Sequence, residues 1–514
     1  MSAGQWSRRD VLKRGAAASL GAFMSDPLSS IPALNPSTSL SGLAGEYEKY
    51  DGLGLAQLIA KKEISSLELL NAVRQRVELL NPKLNALCHL FFDRAEAQIN
   101  QDHGTGPFRG VPFALKDLGM YLTGTITSAG SRVWKNNVAS YDSTLVSRYK
   151  QAGLAIFGKT NSPELGLTVT TESVLFGQTR NPWNLERTSG GSSGGSAALV
   201  ASRILPMAHG SDGGGSIRIP ASCCGVFGFK PTRGRVPLGP SSFENWSGCS
   251  HHHALTISVR DSAALLDATV GQELGSPFLS PKPVPPFLDE LAHDPGSLRI
   301  ALAATSPSGV PLDPECRQAV FNAAKLCESL GHKVEETALP IHNEVLRGAF
   351  FAVLQVSLAR TLDDAAAMLG RAVTQQDVEP VTWAMAQGAG AISSVAYSRA
   401  IATLHQIGLS MAKFQQNYDV ILSPTLSKPP VRLGVLSLSQ DPEVYGKAIT
   451  EFMHSTSLYN VTGQPSMSVP LHWTADGLPV GVMFSGRFGV DALLLRLAAQ
   501  LEKAQPWANR KPQL

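Results

Sequence analysis

Leucine, valine and alanine recur at helical spacing through residues 53–81. Leu55, Leu58 and Ile59 come first, followed by Leu67, Leu70, Ala72, Val73, Val77 and Leu80, so two helices are expected there. Ser65-Ser66-Leu67-Glu68 offers a start for the second, a serine with a glutamate three positions on. The pattern then changes. Short apolar runs at Val111–Leu115, Ala155–Phe157 and Ile204–His209 alternate with helical stretches at 143–152 and 195–202. That alternation predicts an α/β body in which helices cover a mostly buried sheet. Residues 260–420 read as a helical cover, with stretches at Ala263–Thr269, Cys316–Leu330, Ala349–Leu369 and Val395–Gln416. Strand character returns at Val480–Ser485. A last helix follows, with Leu493, Leu494, Leu497, Ala498 and Leu501 on one stripe.

The first 31 residues follow neither pattern. Ser7-Arg8-Arg9-Asp10-Val11-Leu12-Lys13 precedes the apolar run Gly15–Met24 and a stretch rich in Pro and Ser. This resembles a twin-arginine export signal, and the expected location is accordingly the periplasm. The apolar run is far shorter than the roughly 20 residues a spanning helix needs, and no uninterrupted apolar stretch of that length follows, so no stable membrane span is expected. Charge removes another class of function. With 44 Lys+Arg against 41 Asp+Glu in 514 residues, the net charge of +3 provides no basic face for nucleic acid. Cys88, Cys223, Cys224, Cys249, Cys316 and Cys327 form no CxxC pair, so neither a zinc site nor a redox motif is spelled out, and one disulfide is left unassigned.

Two motif strings are set aside on physical grounds. Gly153-Leu-Ala-Ile-Phe-Gly158-Lys159-Thr160 matches a P-loop letter for letter, but Leu-Ala-Ile-Phe reads as buried strand and Pro163 obstructs the helix that should follow. Gly190-Gly-Ser192-Ser-Gly194 fits a nucleophile elbow, yet residues 181–189 before it read as irregular loop rather than strand. His251-His252-His253 is read as polar loop, because adjacent side chains diverge and no carboxylate cluster accompanies them.

The chemistry is concentrated in a glycine–serine belt. Ser189-Gly190-Gly191-Ser192-Ser193-Gly194-Gly195-Ser196 opens a helix, and Asp212-Gly213-Gly214-Gly215-Ser216-Ile217-Arg218 follows. Three glycines before a serine let several backbone N–H groups converge on one point, as an oxyanion hole requires. A serine hydroxyl also needs a base. Lys116, at the end of Val111-Pro-Phe-Ala-Leu-Lys116, is a candidate, because a lysine buried among apolar neighbours can lose its charge. Each feature alone has a bland reading as a strand end or a tight turn. The combination does not.

Lys116, Ser192 and Ser216 in these contexts closely resemble the amidase signature family. The similarity extends to Gln178-Thr-Arg-Asn-Pro-Trp183, Gly228-Phe-Lys-Pro-Thr232, Asn460-Val-Thr-Gly-Gln-Pro465 and Asp476-Gly-Leu-Pro-Val-Gly481, covering about Tyr50 to Leu501. The resemblance implies a single α/β domain, residues 50–505, with a central mixed β-sheet covered by helices on both faces. It implies no metal and no organic cofactor. It assigns Ser216 as nucleophile, Ser192, after a cis peptide from Gly191, as bridging hydroxyl, and neutral Lys116 as base. The backbone N–H groups around Gly213, Gly214, Gly215 and Ser216 would form the oxyanion hole, with Asp212 and Arg218 shaping the loop. Family members often carry a bulkier residue where this chain has Gly213, a change expected to widen or loosen the oxyanion region.

The wider string from Ala208 to Ser222 is most similar to the branch containing 6-aminohexanoate cyclic-dimer hydrolases. The expected reaction is hydrolysis of a small linear or cyclic carboxamide, with that amide and water as partners and a homodimer left open. A glutaminase component of a tRNA-dependent amidotransferase shares the same residues. The export signal argues against it. A non-catalytic binding protein on the same scaffold is disfavoured because all three residues are present.

Overall fold

The computed structural model describes residues 46–101, 105–280 and 282–514, so the expected export segment, 1–31, lies outside the described residues. Two helices open this part of the chain, Gly52–Ala60 and Ser66–Leu84. The second starts as the sequence predicts: the Ser65 side chain accepts from the Glu68 amide while the Glu68 carboxylate accepts from the Ser65 amide.

The main sheet has eight strands in the order Lys333–Glu336, Arg299–Leu302, Val420–Pro424, Pro479–Gly486, Ser466–Trp473, Phe227–Lys230, His251–Thr256, Met207–Asp212. The first three run parallel and the remaining pairs are antiparallel, so the sheet is mixed. A three-stranded sheet, Leu87–Leu90, Ala155–Thr160 and Pro112–Lys116, adjoins it at Met207–Asp212 through the Lys116 amide, which donates to His209 Nδ1 at 3.2 Å.

Both faces of the main sheet are covered. Along the wholly buried strand Pro479–Gly486, a Cβ at Gly481 would meet Ser222 of helix Arg218–Cys224, and one at Gly486 would meet Leu494 of the terminal helix Asp491–Ala504. Positions of opposite parity point to opposite faces of a strand, so these two helices lie on opposite sides.

Three expectations are corrected. Residues 260–420 are not only a helical cover, since they contribute the parallel pair Arg299–Leu302 and Lys333–Glu336. Residues 181–189 are not wholly irregular: Arg180–Asn181 and Asn184–Thr188 form a small antiparallel arm. The third apolar run starts its strand at Met207 rather than Ile204, because Arg203 adopts φ +59° in the turn after the preceding helix. The strand runs on to Asp212, three residues beyond the apolar run.

One helix among the described residues, Asn343–Leu369, is long and apolar enough to cross a membrane by length and composition, although Arg347, Gln355 and Arg360 interrupt its apolar residues, in keeping with the lack of an uninterrupted apolar stretch in the sequence. Its Leu346, Ala349 and Val353 pack in one apolar cluster with Leu404, Ile407 and Ile421, and its Leu354, Leu358 and Leu362 pack in another with Val381 and Tyr445. Its outer face carries Arg347 and Arg360.

Candidate active site

Lys116 ends its strand fully buried, with Nζ 2.6 Å from Ser192 Oγ and 3.0 Å from Ser211 Oγ. Burial pulls the ammonium pKa down to about 7 against the opposing pull of the Asp212 carboxylate, so a large neutral fraction exists near neutrality. The Gly191–Ser192 peptide bond is cis. Glycine is required before it, since a Cβ on Gly191 would lie 2.2 Å from the carbonyl oxygen of Thr170.

Ser216 stands between Gly215 and the helix Arg218–Cys224, and its carbonyl accepts from the Ser193 amide at 3.2 Å, which ties the two serine loops together. Asp212, at the end of its strand, organises the loop from below. Its Oδ1 accepts from the Gly215 amide, Arg218 Nη2 and Asn460 Nδ2, each at 2.8 Å. Its Oδ2 accepts from the Ile217 amide at 3.1 Å and Arg218 Nε at 3.0 Å. Burial alone would raise this carboxyl's pKa, but Arg218, Asn460 and Lys230 outweigh it and hold the pKa well below the usual carboxylate range.

These bonds correct one assignment. The Gly215 amide is consumed by Asp212, so Gly215 contributes its backbone shape, φ +135°, rather than a donor. Among the described residues, the amides of Gly213, Gly214 and Ser216 have no such internal acceptor and are the donors left at this point.

Two cavities meet at Ser216. One, of about 430 Å³, is lined largely by apolar side chains such as Leu346, Phe350, Val381 and Met385. The other, of about 570 Å³, is lined by Ser192, Ser211, Tyr121, Tyr141, Asn245 and His252 among others.

A family model described as Amidase matches residues 68–495. The chain belongs to the amidase family. It is a hydrolase acting on amide C–N bonds. Over 478 residues it is 37% identical to the 6-aminohexanoate-cyclic-dimer hydrolase of Paenarthrobacter ureafaciens, covering 90% of this chain and 96% of that protein. A solved structure of a 6-aminohexanoate cyclic dimer hydrolase complexed with substrate superposes with a TM-score of 0.86 at 36% identity, covering 91% and 99% of the two chains. A glutamyl-tRNA(Gln) amidotransferase structure from Thermotoga maritima is more distant, with a TM-score of 0.72 at 28% identity and 90% and 96% coverage.

This amidase brings Lys116, Ser192, Ser216, Asp212 and Arg218 into one neighbourhood, as expected, and adds residues that the sequence did not single out. Ser211 is a second partner for Lys116, and Asn460 clamps Asp212. Both lie within or beside the motif strings that carry the family resemblance, so the signal was present without a role attached. His209 was hidden more deeply. Its Nδ1 accepts from the Lys116 amide, so the proton of the neutral ring sits on Nε2 and is donated to His252 Nδ1 at 2.9 Å. Burial keeps both rings neutral, lowering the His252 pKa to about 3 and that of His209 well below its ordinary value.

The histidine triplet is therefore no polar loop. It belongs to the buried strand His251–Thr256, with His253 Nε2 2.9 Å from Ser262 Oγ. Lys159 of the P-loop-like string is buried in a strand, donating to the Met120 carbonyl at 3.0 Å and to Thr127, so no phosphate cradle exists there. All six cysteines are free thiols. Cys88, His89 and Asp117 place ligand-type atoms within 4.8 Å of one another, but Asp117 accepts from the Ser128 amide at 3.0 Å and shares its surroundings with the cationic Lys159.

Proposed function

We propose that this amidase cleaves small linear or cyclic carboxamides, cyclic diamides included, through an acyl-enzyme on Ser216. Neutral Lys116 takes the proton of Ser192, and Ser192 takes that of Ser216 as its Oγ attacks the scissile carbonyl carbon. The amides of Gly213, Gly214 and Ser216 receive the developing oxyanion, each such donor being worth about 3–4 kcal/mol in a transition state of this kind. The proton returns through Ser192 to the departing nitrogen, the C–N bond breaks, and the free amine leaves. Water then attacks the ester carbon by the same route, releasing the carboxylic acid and restoring Ser216.

The observation that carries this reading is the buried Lys116 Nζ, 2.6 Å from Ser192 Oγ with its pKa lowered to about 7, while Ser192 lines the same cavity as Ser216, which opens on both spaces. The substrate class is supported by the similarity to the cyclic-dimer hydrolases. Ser216→Ala should lower turnover by several orders of magnitude, as loss of a covalent nucleophile does. A fluorophosphonate probe should label Ser216, and label on Ser192 instead would refute the assignment.

The same reading takes residues 1–31 as a twin-arginine address to the periplasm. Replacing Arg8 and Arg9 with Lys should keep the enzyme active but cytoplasmic, and undiminished periplasmic activity in that variant would refute the address.

A further inference from the structure

Trp246 occupies an unusual position. The two cavities share Gly166, Leu167, Ser216 and Trp246, so the indole stands beside the nucleophile and borders both spaces. It rests directly on the nucleophile loop: a Cβ built on Gly213 would lie 2.5 Å from Trp246 Cζ3 and 2.7 Å from Cε3. The glycine that departs from the family pattern therefore does not leave open space. It is the seat of an aromatic ring.

The ring is also fixed from behind. Trp246 and Ser247 both adopt φ +52°, two consecutive non-glycine residues in the left-handed region, which L-residues avoid. The turn is held by the Cys249 amide donating to the Trp246 carbonyl at 3.1 Å and by a 2.9 Å hydrogen bond between Ser247 Oγ and Tyr397 OH. Phe350 meets the indole edge to face, with ring centroids 6.4 Å apart. Backbone outliers that persist beside a reacting group are a recognised mark of functional constraint.

Proton delivery tells the two spaces apart. On the triad reading above, Ser192 hands the proton to the departing nitrogen. Ser192 lines only the 570 Å³ cavity, so the amine half of the substrate belongs there, among Tyr121, Tyr141, Asn245 and His252. The acyl half then enters the 430 Å³ cavity between Leu346, Phe350 and Met385.

We propose that Trp246, seated on Gly213, is a specificity-determining partition between a predominantly apolar acyl chamber and an amine chamber of mixed polar and apolar lining. It admits slender acyl chains at the carbon next to the scissile carbonyl and turns away branched ones. This inference rests on the triad reading, and the two can fail separately.

The test is a pair of para-nitroanilides, hexanoyl and pivaloyl, assayed by kcat/KM. Wild type should favour hexanoyl strongly. Trp246→Ala should reduce the hexanoyl-to-pivaloyl ratio at least tenfold, and Trp246→Phe should retain most of it. Gly213→Ala, whose new methyl displaces the indole, should shift the ratio in the same direction as Trp246→Ala. A purely structural tryptophan would lower both rates together, so a ratio within twofold of wild type in Trp246→Ala and Gly213→Ala overturns the partition. Should Trp246→Ala not fold, Trp246→Leu gives the same comparison. Fluorophosphonate labelling of wild type separates the two readings. Labelled Ser216 with unchanged selectivity sinks the partition alone, whereas unlabelled Ser216 sinks the triad.

Discussion

Replacing Asp212 with Asn tests the loop architecture most directly. The carboxylate accepts three donors on Oδ1 and two on Oδ2, within 3.1 Å. An amide has one acceptor oxygen. Turned toward the three-donor side, its NH2 group faces the Ile217 amide and Arg218 Nε and loses both bonds. The Arg218 guanidinium, wholly buried, is then left without its countercharge. Breaking a buried pair in this way costs about 3–5 kcal/mol, the penalty being an uncompensated charge rather than a lost contact. Urea unfolding at pH 7 should show a loss of that order. Turnover should fall at least 100-fold, because the Gly213–Ser216 amides lose their anchor.

The sign of the pH dependence follows from the lowered Asp212 pKa. Its contribution to stability is fully present above the unfolded carboxyl value, about 3.9, and fades as pH falls through the lower folded value. The gap between wild type and variant should therefore be constant from pH 5 to 8 and close only in acid. A loss under about 1 kcal/mol at pH 7, with most turnover kept, would refute the reasoning, since no uncompensated charge would then have been created.

Three further outcomes are expected. Because burial lowers the Lys116 pKa to about 7, and only the neutral amine accepts a proton, kcat/KM should rise about tenfold per pH unit below 7 and level off above it. A profile that falls through this range, or one unchanged in Lys116→Met, would count against the base. Gly191→Ala should lower kcat at least 100-fold, since its Cβ would sit 2.2 Å from the Thr170 carbonyl oxygen and displace Ser192 from Lys116. Wild-type kinetics in that variant would contradict the close fit. Prolonged dialysis against EDTA should leave turnover unchanged, because every proton transfer is assigned to side chains, whereas inactivation reversed by added metal would contradict the mechanism.

The elements that the sequence made readable are those whose own residues carry a period. The Ser65–Glu68 capping box and the leucine stripe of the last helix are of this kind, each set by neighbours in the chain. Lys116 was legible because it ends a five-residue buried strand. Lys333–Glu336 was not, since three of its four residues are charged and exposed at a sheet edge, leaving no apolar run. The histidines were misread for the opposite reason. Three polar residues in a row look like a loop until distant partners such as His209 and Ser262 satisfy them inside a strand. Which amides of the Gly213–Ser216 turn remain free depends on where Asp212 points, and residue identities do not specify that.

The order of the strands also determines when the enzyme can first work during synthesis. Val420–Pro424, Pro479–Gly486 and Ser466–Trp473 lie in the middle of the eight-stranded sheet, between Arg299–Leu302 and Phe227–Lys230. Among the described residues, no earlier strand closes that gap. Asn460, which clamps Asp212, also comes from this late stretch. A nascent chain can hold Lys116, Ser192 and Ser216 long before it leaves the ribosome and still lack both the central strands and the clamp. Hydrolysis is thus withheld until almost the whole polypeptide is available, and fragments ending before the final hairpin should be inert however completely they include the reacting residues.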